Sequence, residues 1–249
     1  MKKSIVILSI FLLIISITGN SCKKQTTDSG DAAPASLSNG LVAYYPFTGS
    51  ANDNSGNGHN GSVVGATLTT DRFGNANSAY NFNGSGNYIS IPSSSAFDLP
   101  NSLSFSVWVK ATIPYTGRFI SKLSEGVFPP VGWVYSIGTP NANNYNLRIT
   151  VGGVQNFSTI SSNPQANTWL LMTVTYDLQN VNVYINGILS YTVAQTTSTP
   201  AYLANVIIGA PTNVVTTPVT TEYFKGSLDE IRIYNRALTQ TEITYLAAH

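Results

Sequence analysis

Short apolar segments alternate with clusters of glycine, asparagine, proline and serine from Leu41 to Tyr234, and this alternation constrains the fold more than any other feature. In residues 103–110 every second residue is apolar, which is typical of a strand with one buried face. Asn186-Gly187 separates two apolar segments and favours a two-residue hairpin turn. Serine, threonine and asparagine form about a third of the 249 residues, whereas charged residues form 9%. The chain is therefore predicted to be a run of short strands.

About a dozen strands and one helix are predicted. The strands are Leu41–Phe47, Ala79–Phe82, Tyr88–Ile91, Leu103–Lys110, Phe119–Leu123, Trp133–Ile137, Leu147–Val151, Trp169–Tyr176, Val181–Ile185, Leu189–Val193, Val206–Gly209 and Phe224–Tyr234. Thr239 and Glu242 fit a capping box that opens a short C-terminal helix. No period of 20–50 residues repeats, which argues against a solenoid or propeller. We expect an all-β, two-sheet antiparallel sandwich, formed by one domain over residues 40–249.

The charge balance excludes two classes of protein. The chain has 12 Lys+Arg and 11 Asp+Glu, with a formal net charge of +1. A nucleic-acid-binding protein normally carries a basic stripe, so no nucleic-acid partner is expected. A disordered protein combines low hydrophobicity with high net charge, and this chain is 43% hydrophobic.

The N-terminus has the organisation of an export signal. Lys2 and Lys3 precede a 13-residue apolar core, Ile5–Ile17, which is shorter than the ~20 residues that span a bilayer. The only cysteine, Cys22, follows shortly after, and the segment resembles a bacterial lipoprotein signal. The resemblance implies a signal peptide over 1–21, lipidation of Cys22 and a cell-envelope protein, periplasmic or surface-exposed, whose only membrane contact is its lipid anchor. Residues 23–39 show no apolar periodicity, so residues 22–39 are predicted to form a flexible tether. The alternative is a secreted protein with a chance cysteine.

Two segments carry a resemblance to a known family. Residues 41–47 with 53–61 (LVAYYPF and DNSGNGHNG) form one, and residues 226–238 (GSLDEIRIYNRAL) form the other. Both resemble the laminin-G-like jelly roll of the concanavalin A-like superfamily. The resemblance implies two stacked antiparallel sheets with adjacent first and last strands. It also implies a binding role, often for glycans or surface proteins, and often a bound calcium.

Asp229 and Asp53 are the residues that point to a metal. Strand periodicity places Asp229 in phase with Ile231 and Ile233, on the apolar face, where an unpaired carboxylate is costly. Asp53 lies in a glycine-rich loop whose carbonyl groups can turn inward. Carboxylates and loop carbonyls are the oxygen ligands that calcium prefers.

The family resemblance implies that Asp53, Asn57, His59 and Asp229 hold a structural calcium, with Asn57 and His59 contributing main-chain oxygens. The alternative is that Asp53 caps a turn, while Asp229 bonds to Arg72 or to backbone N–H groups.

No catalytic residues are predicted. Glycoside hydrolases need two convergent carboxylates. The domain has only four glutamates, and Asp229 and Glu230 are neighbours that a regular strand points to opposite faces. We expect no such carboxylate pair in a cleft. A non-catalytic module is predicted, and a divergent glycoside hydrolase or polysaccharide lyase is the enzymatic alternative.

Aromatic residues in loop-like stretches are the candidate ligand contacts, because aromatic rings stack on sugar faces. They are Tyr115, Phe128, Trp133 and Tyr145. The loop 124–133 is the first choice, since Pro129-Pro130 would hold Phe128 rigidly. The alternative is that these aromatic side chains fill the edge of the core. The predicted partner is a glycan or a surface protein. The alternative function is a protein-adhesion domain that binds no sugar.

Overall fold

In a computed structural model, residues 33–112, 116–126, 128–141, 144–151, 153–160, 166–216 and 221–249 are described, with only the backbone for 116, 139–141, 144–146 and 155–160. The predicted signal peptide, Cys22 and most of the tether lie outside these ranges. The described residues belong to one compact unit that begins at Ala33, somewhat before the predicted Gly40. Within these ranges, no helix is long and apolar enough to cross a bilayer.

Fifteen strands form two antiparallel sheets in the described chain. The strands of sheet A are β1 (Leu41–Tyr45), β3 (Thr67–Thr69), β4 (Ala79–Asn83), β6 (Leu103–Ala111), β11 (Trp169–Tyr176), β12 (Asn180–Ile185), β13 (Ile188–Ala194) and β15 (Lys225–Tyr234). The strands of sheet B are β2 (Ser62–Val64), β5 (Tyr88–Ile91), β7 (Thr116–Leu123), β8 (Gly132–Asn141), β9 (Asn144–Val151), β10 (Val154–Ile160) and β14 (Val206–Ile208). Sheet A has the order β13-β12-β11-β6-β15-β4-β3, with β1 also paired to β15. Sheet B has the order β10-β9-β8-β7-β14-β5-β2.

The main core lies between the two sheets, as the alternating pattern predicts. Leu103, Phe105, Val107 and Val109 of β6 are each at most 2% exposed and belong to this core. The ring of Phe105 lies 4.6 Å from that of Trp133 on the facing sheet. The two-sheet antiparallel sandwich is thus confirmed, and the pairing of β1 with β15 confirms that the first and last strands are adjacent.

One helix, α1 (Gln240–Ala248), covers the outer face of sheet A. Thr239 and Glu242 form the predicted capping box at its start. Arg236 donates two hydrogen bonds to the Glu242 carboxylate, at 2.7 and 2.9 Å, and two more to the carbonyl oxygens of Ser36 and Asn39, at 2.6 and 2.7 Å. These bonds tie the 3-10 turn Ala35–Ser38 to the domain, which explains why the compact unit begins before Gly40.

Glu242→Gln is expected to remove a pH-dependent part of the stability. Hydrogen bonding from Arg236 lowers the pKa of Glu242 to about 2, from a usual value of 4.5. Because the folded-state pKa is depressed, the stabilisation is complete above pH 4.5 and is lost as the pH falls toward 2. The variant should cost about 2 kcal/mol near neutral pH, because it breaks a pair with one buried partner, and much less near pH 2.

Urea unfolding of the wild type and E242Q across this pH range measures the difference. Thr239→Ala provides the control, because it removes a cap without removing an ionisable group. It should cost about 1 kcal/mol with a much weaker dependence on pH. A cost of E242Q that stays constant down to pH 2 would contradict the assignment.

Candidate functional site

Asp229 lies on the outer face of sheet A, which corrects its predicted place on the apolar face. A bulge interrupts the register of β15 between Asp229 and Arg232, and Glu230 has a φ of 53°. Leu228 and Ile231 both belong to the core, so the bulge adds one residue between two inward positions. A prediction from strict alternation assumes a regular strand, so it could not show that a bulge moves Asp229 to the other face of the sheet.

The buried Asp229 carboxylate is paired with Arg72. Asp229 is 2% exposed, and its Oδ2 lies 3.1 Å from Nη1 of Arg72. The guanidinium of Arg72 stacks between the rings of Phe73 and Trp108, 4.3 and 4.6 Å from their centroids. Burial, together with the negative charge of Glu230, raises the pKa of Asp229 to about 7 even though Arg72 lowers it. The ion pair with Arg72 therefore offsets only part of the cost of burying the Asp229 carboxylate.

Asp53 organises its own loop through hydrogen bonds. Its carboxylate accepts from the backbone N–H groups of Tyr44, Ser55 and His59 at 2.8–3.0 Å and from the Ser55 hydroxyl at 2.9 Å. Burial raises the pKa of Asp53, but these donors outweigh it, so the pKa lies below its usual value. The Asn57 amide donates to two carbonyl oxygens of β1, each at 3.0 Å. The loop is thereby fixed against the first strand.

The four predicted calcium ligands fall into two groups. Asp53, Asn57 and His59 share one loop, whereas Asp229 lies in the cluster around Arg72. A calcium ion bound by all four would have to replace Arg72 at Asp229 and compete with amide donors at Asp53. Within the described ranges, no three His, Cys, Asp or Glu residues are grouped closely enough to hold a metal. These contacts are the ones that the alternative reading predicts, and the calcium itself stays a prediction.

The four aromatic residues predicted to contact a ligand differ in their exposure and in how far the structure describes them. Phe128 is 93% exposed. Trp133 is 1% exposed, and its Nε1 donates to the carbonyl of Phe97 at 3.0 Å. The prediction that Trp133 contacts a ligand is therefore wrong, because its side chain packs in the core. Tyr115 lies outside the described residues. Tyr145 is part of β9, and its side chain is outside the described set.

The loop that carries Phe128 is closed at its base. The Ser124 N–H donates to the carbonyl of Val131 at 2.8 Å, and the Val131 N–H donates to the Ser124 hydroxyl at 2.7 Å. Glu125 is bonded to Arg118 of β7 and accepts from the Thr212 N–H at 3.2 Å. The base of the loop is thus held by backbone and side-chain contacts, and Phe128 is presented from a fixed base.

An ion cluster that sequence reasoning missed holds this loop to sheet B. Arg118 is 5% exposed and bonds both Glu125 and Glu222, and Glu222 is also 3.1 Å from Arg148. Arg118 and Glu222 are 104 residues apart, so no local pattern could have indicated the contact. Glu125 and Glu222 share one guanidinium, and the expected absence of a catalytic carboxylate pair in a cleft stays a prediction.

The cluster is electrically balanced and ill suited to acid catalysis. Burial raises the pKa of Glu222, but Arg118 and Arg148 outweigh it and hold the pKa below its usual value. A glycosidase acid needs a raised pKa in order to donate its proton near neutral pH. Two arginines and two glutamates therefore form a rigid support for the loop.

The fold and the site define a concanavalin A-like jelly roll that presents an exposed aromatic residue on a braced loop. A family model described as the concanavalin A-like lectin/glucanases superfamily matches residues 83–244. That match spans more than half of the chain, so the chain belongs to this laminin-G-type family. No curated protein matches it.

Similar solved structures are mostly binding domains. Domain 4 of AbnA, a GH43 extracellular arabinanase from Geobacillus stearothermophilus solved in complex with arabinotriose, has a TM-score of 0.65 and 23% identity, and the match covers 83% of this chain and 98% of that one. The botulinum neurotoxin serotype D ligand-binding domain, solved with N-acetylneuraminic acid, has a TM-score of 0.65 and 16% identity over 87% of this chain and 52% of that one. The binding domain of Paraclostridial Mosquitocidal Protein 1 has a TM-score of 0.64 and 18% identity over 85% and 52%. The chain thus spans about half the length of these toxin domains, and identities this low show the fold alone.

Proposed function

We propose that this chain is a non-catalytic glycan-binding module of the cell envelope, exported by its N-terminal signal and anchored through a lipidated Cys22. The observation that carries the proposal is the exposure of Phe128 on a loop braced by Ser124, Val131 and Glu125. The solvent-exposed ring of Phe128 offers a surface on which a sugar ring can stack. The braced loop base reduces the entropy lost on binding.

The similar structures support a glycan as the partner. Domain 4 of AbnA was solved with arabinotriose, and the serotype D toxin domain was solved with N-acetylneuraminic acid. The pairing of Glu222 with two arginines supports a non-catalytic role, because a glutamate whose pKa is held below its usual value is a poor proton donor. Export and lipidation rest on the sequence of residues 1–22 alone.

Phe128→Ala is expected to weaken glycan binding about tenfold or more and to leave Tm within about 2 °C, because the side chain lies almost wholly in solvent. A glycan array with the purified chain identifies a ligand, and calorimetry compares the variants. Phe73→Ala is the matched control, since Phe73 is 65% exposed on another loop. Equal binding by F128A and the wild type would contradict the role of this loop. If the wild type binds no glycan, the protein-adhesion reading takes its place.

A structural calcium is also part of the proposal, and the support is the raised pKa of the buried Asp229, whose ionised form a divalent cation would stabilise. Calcium in millimolar excess is expected to raise Tm by several degrees relative to EDTA, because a ligand of the folded state stabilises it. Asp53→Asn and Asp229→Asn should each abolish that increment, and magnesium should not reproduce it. A Tm that is equal in calcium and EDTA would remove the ion and leave Asp229 paired with Arg72.

A further inference from the structure

Glu125 links the loop that carries Phe128 to two other segments of the domain. Its carboxylate bonds both Nη atoms of Arg118 on β7 and accepts a hydrogen bond from the Thr212 N–H at 3.2 Å. Thr212 begins the 3-10 turn Thr212–Val215, which follows β14. Glu125 therefore joins the loop both to sheet B and to the segment that follows β14.

Both partners of Glu125 are fixed by β7. Arg118 is 5% exposed and is itself a residue of this strand. Thr212 is 4% exposed, and its hydroxyl accepts a hydrogen bond from the Leu123 N–H at 2.9 Å and lies 3.1 Å from the Ser121 hydroxyl. Leu123 and Ser121 also belong to β7. The Glu125 carboxylate is therefore held in a defined position relative to sheet B, and salt screens its ion pair little because the guanidinium is buried.

The C-terminal side of the loop tip has a separate support. The rings of Pro129 and Pro130 fix their own φ angles. A Cβ added to Gly153, between β9 and β10, would lie 3.2 Å from the carbonyl oxygen of Pro130 and 3.4 Å from the Cβ of Pro129. The turn at Gly153 thus lies against this side of the tip. Glu125 provides the corresponding support on the N-terminal side, three residues before Phe128.

We infer that Glu125 is the positioning residue of the proposed glycan site. Its bonds to Arg118 and Thr212 set the affinity with which the Phe128 ring stacks on a sugar. The inference rests on the proposed glycan-binding function and adds to it the residue that governs affinity without touching the ligand. When Glu125 holds the loop, the free protein already has it in one arrangement. When these bonds are absent, the sugar has to order the loop as it binds, and that ordering costs binding free energy.

Glu125→Ala is expected to weaken glycan binding about fivefold, because the loop then has to be ordered during binding. In the Phe128→Ala background the same change should have no further effect, since a positioning residue acts through the ring that it positions. Glu125→Gln keeps an oxygen that can accept from the Thr212 N–H, so its loss of affinity should be only about twofold. Calorimetry with arabinotriose, and with the strongest-binding glycan from the array, measures the dissociation constants of these variants and of the wild type.

Asp98→Ala is the matched control for stability. It breaks a similar ion pair, in which the Lys122 side chain is 2% exposed and the carboxylate lies outside the loop that carries Phe128. D98A and E125A should both lower Tm by several degrees, but D98A should bind glycans like the wild type. Hydrogen–deuterium exchange of residues 124–133, measured by mass spectrometry, is a readout that needs no ligand. Exchange should be faster in E125A than in D98A.

The other outcomes separate the inference from the proposed function. An equal loss of affinity from E125A in the wild-type and F128A backgrounds would overturn the inference, because the effect would not pass through the aromatic ring. A loss in D98A equal to that in E125A, or equal exchange in the two, would overturn it as well and assign the effect to lower stability. If F128A weakens binding and E125A does not, the proposed function stands and the positioning role of Glu125 is wrong. If the wild type binds no glycan, the proposed function is wrong and the inference falls with it.

Discussion

Arg118→Met is expected to lower the free energy of unfolding by about 3–5 kcal/mol, because it leaves two partly buried carboxylates without their common partner. Arg118 is 5% exposed, and its Nε donates to Glu222 at 2.7 Å while its Nη1 bonds Glu125. Methionine keeps most of the volume of the arginine side chain, so the loss of stability measures the removal of the charged contacts. For a domain of this size the change corresponds to a fall in Tm of about 10 °C.

Urea unfolding with the wild type and R118M measures the effect. The double variant R118M/E125Q is the matched control, because it neutralises Glu125, whereas Glu222 keeps its pair with Arg148. It should be more stable than R118M alone. A fall in Tm of less than about 3 °C for R118M would show that the cluster contributes little, as exposed ion pairs usually do.

Gly132→Ala is expected to be still more disruptive, because the added carbon has no space. Gly132 begins β8 with a φ of 95°, and a Cβ there would lie 1.9 Å from the carbonyl oxygen of Lys122. The obstacle is backbone of the paired strand β7, so a side-chain rotation cannot relieve the clash. We expect a loss of more than about 4 kcal/mol or a failure to fold.

Gly126→Ala in the same loop separates the clash from backbone strain. Gly126 has a φ of 73°, and its Cβ would meet nothing within 4 Å. It should cost about 1–2 kcal/mol and yield a folded protein. Soluble yield and Tm of the two variants compare them directly. Similar values for G132A and G126A would contradict the close approach of β7 and β8.

The architecture follows from features that are local in the sequence. Alternation in Leu103–Lys110 predicts β6, and Asn186-Gly187 predicts a turn in which both residues have positive φ, 49° and 82° in the structure. β2 (Ser62–Val64) has no such signal, because it is three residues long and exposed throughout. β10 is likewise missed: its sequence, VQNFSTI, carries no sustained apolar alternation.

The site depends on contacts that local patterns do not carry. The phase of Asp229 depends on a bulge, which depends on how β15 pairs with β6. The ion cluster joins Arg118 to Glu222 across 104 residues. The position of Phe128 in a loop could be predicted, because its proline neighbours and turn-rich context are local, and its contact with a ligand stays a prediction.

The pairing of β15 has a consequence for the order of events at the ribosome. β15 comes last along the chain among the described strands, yet it lies inside sheet A and pairs with β6, β4 and β1. Until Lys225–Tyr234 has emerged, each of these three strands lacks that partner, and sheet A stays open at its middle. The sandwich is therefore completed only after residues 225–234 have left the ribosome.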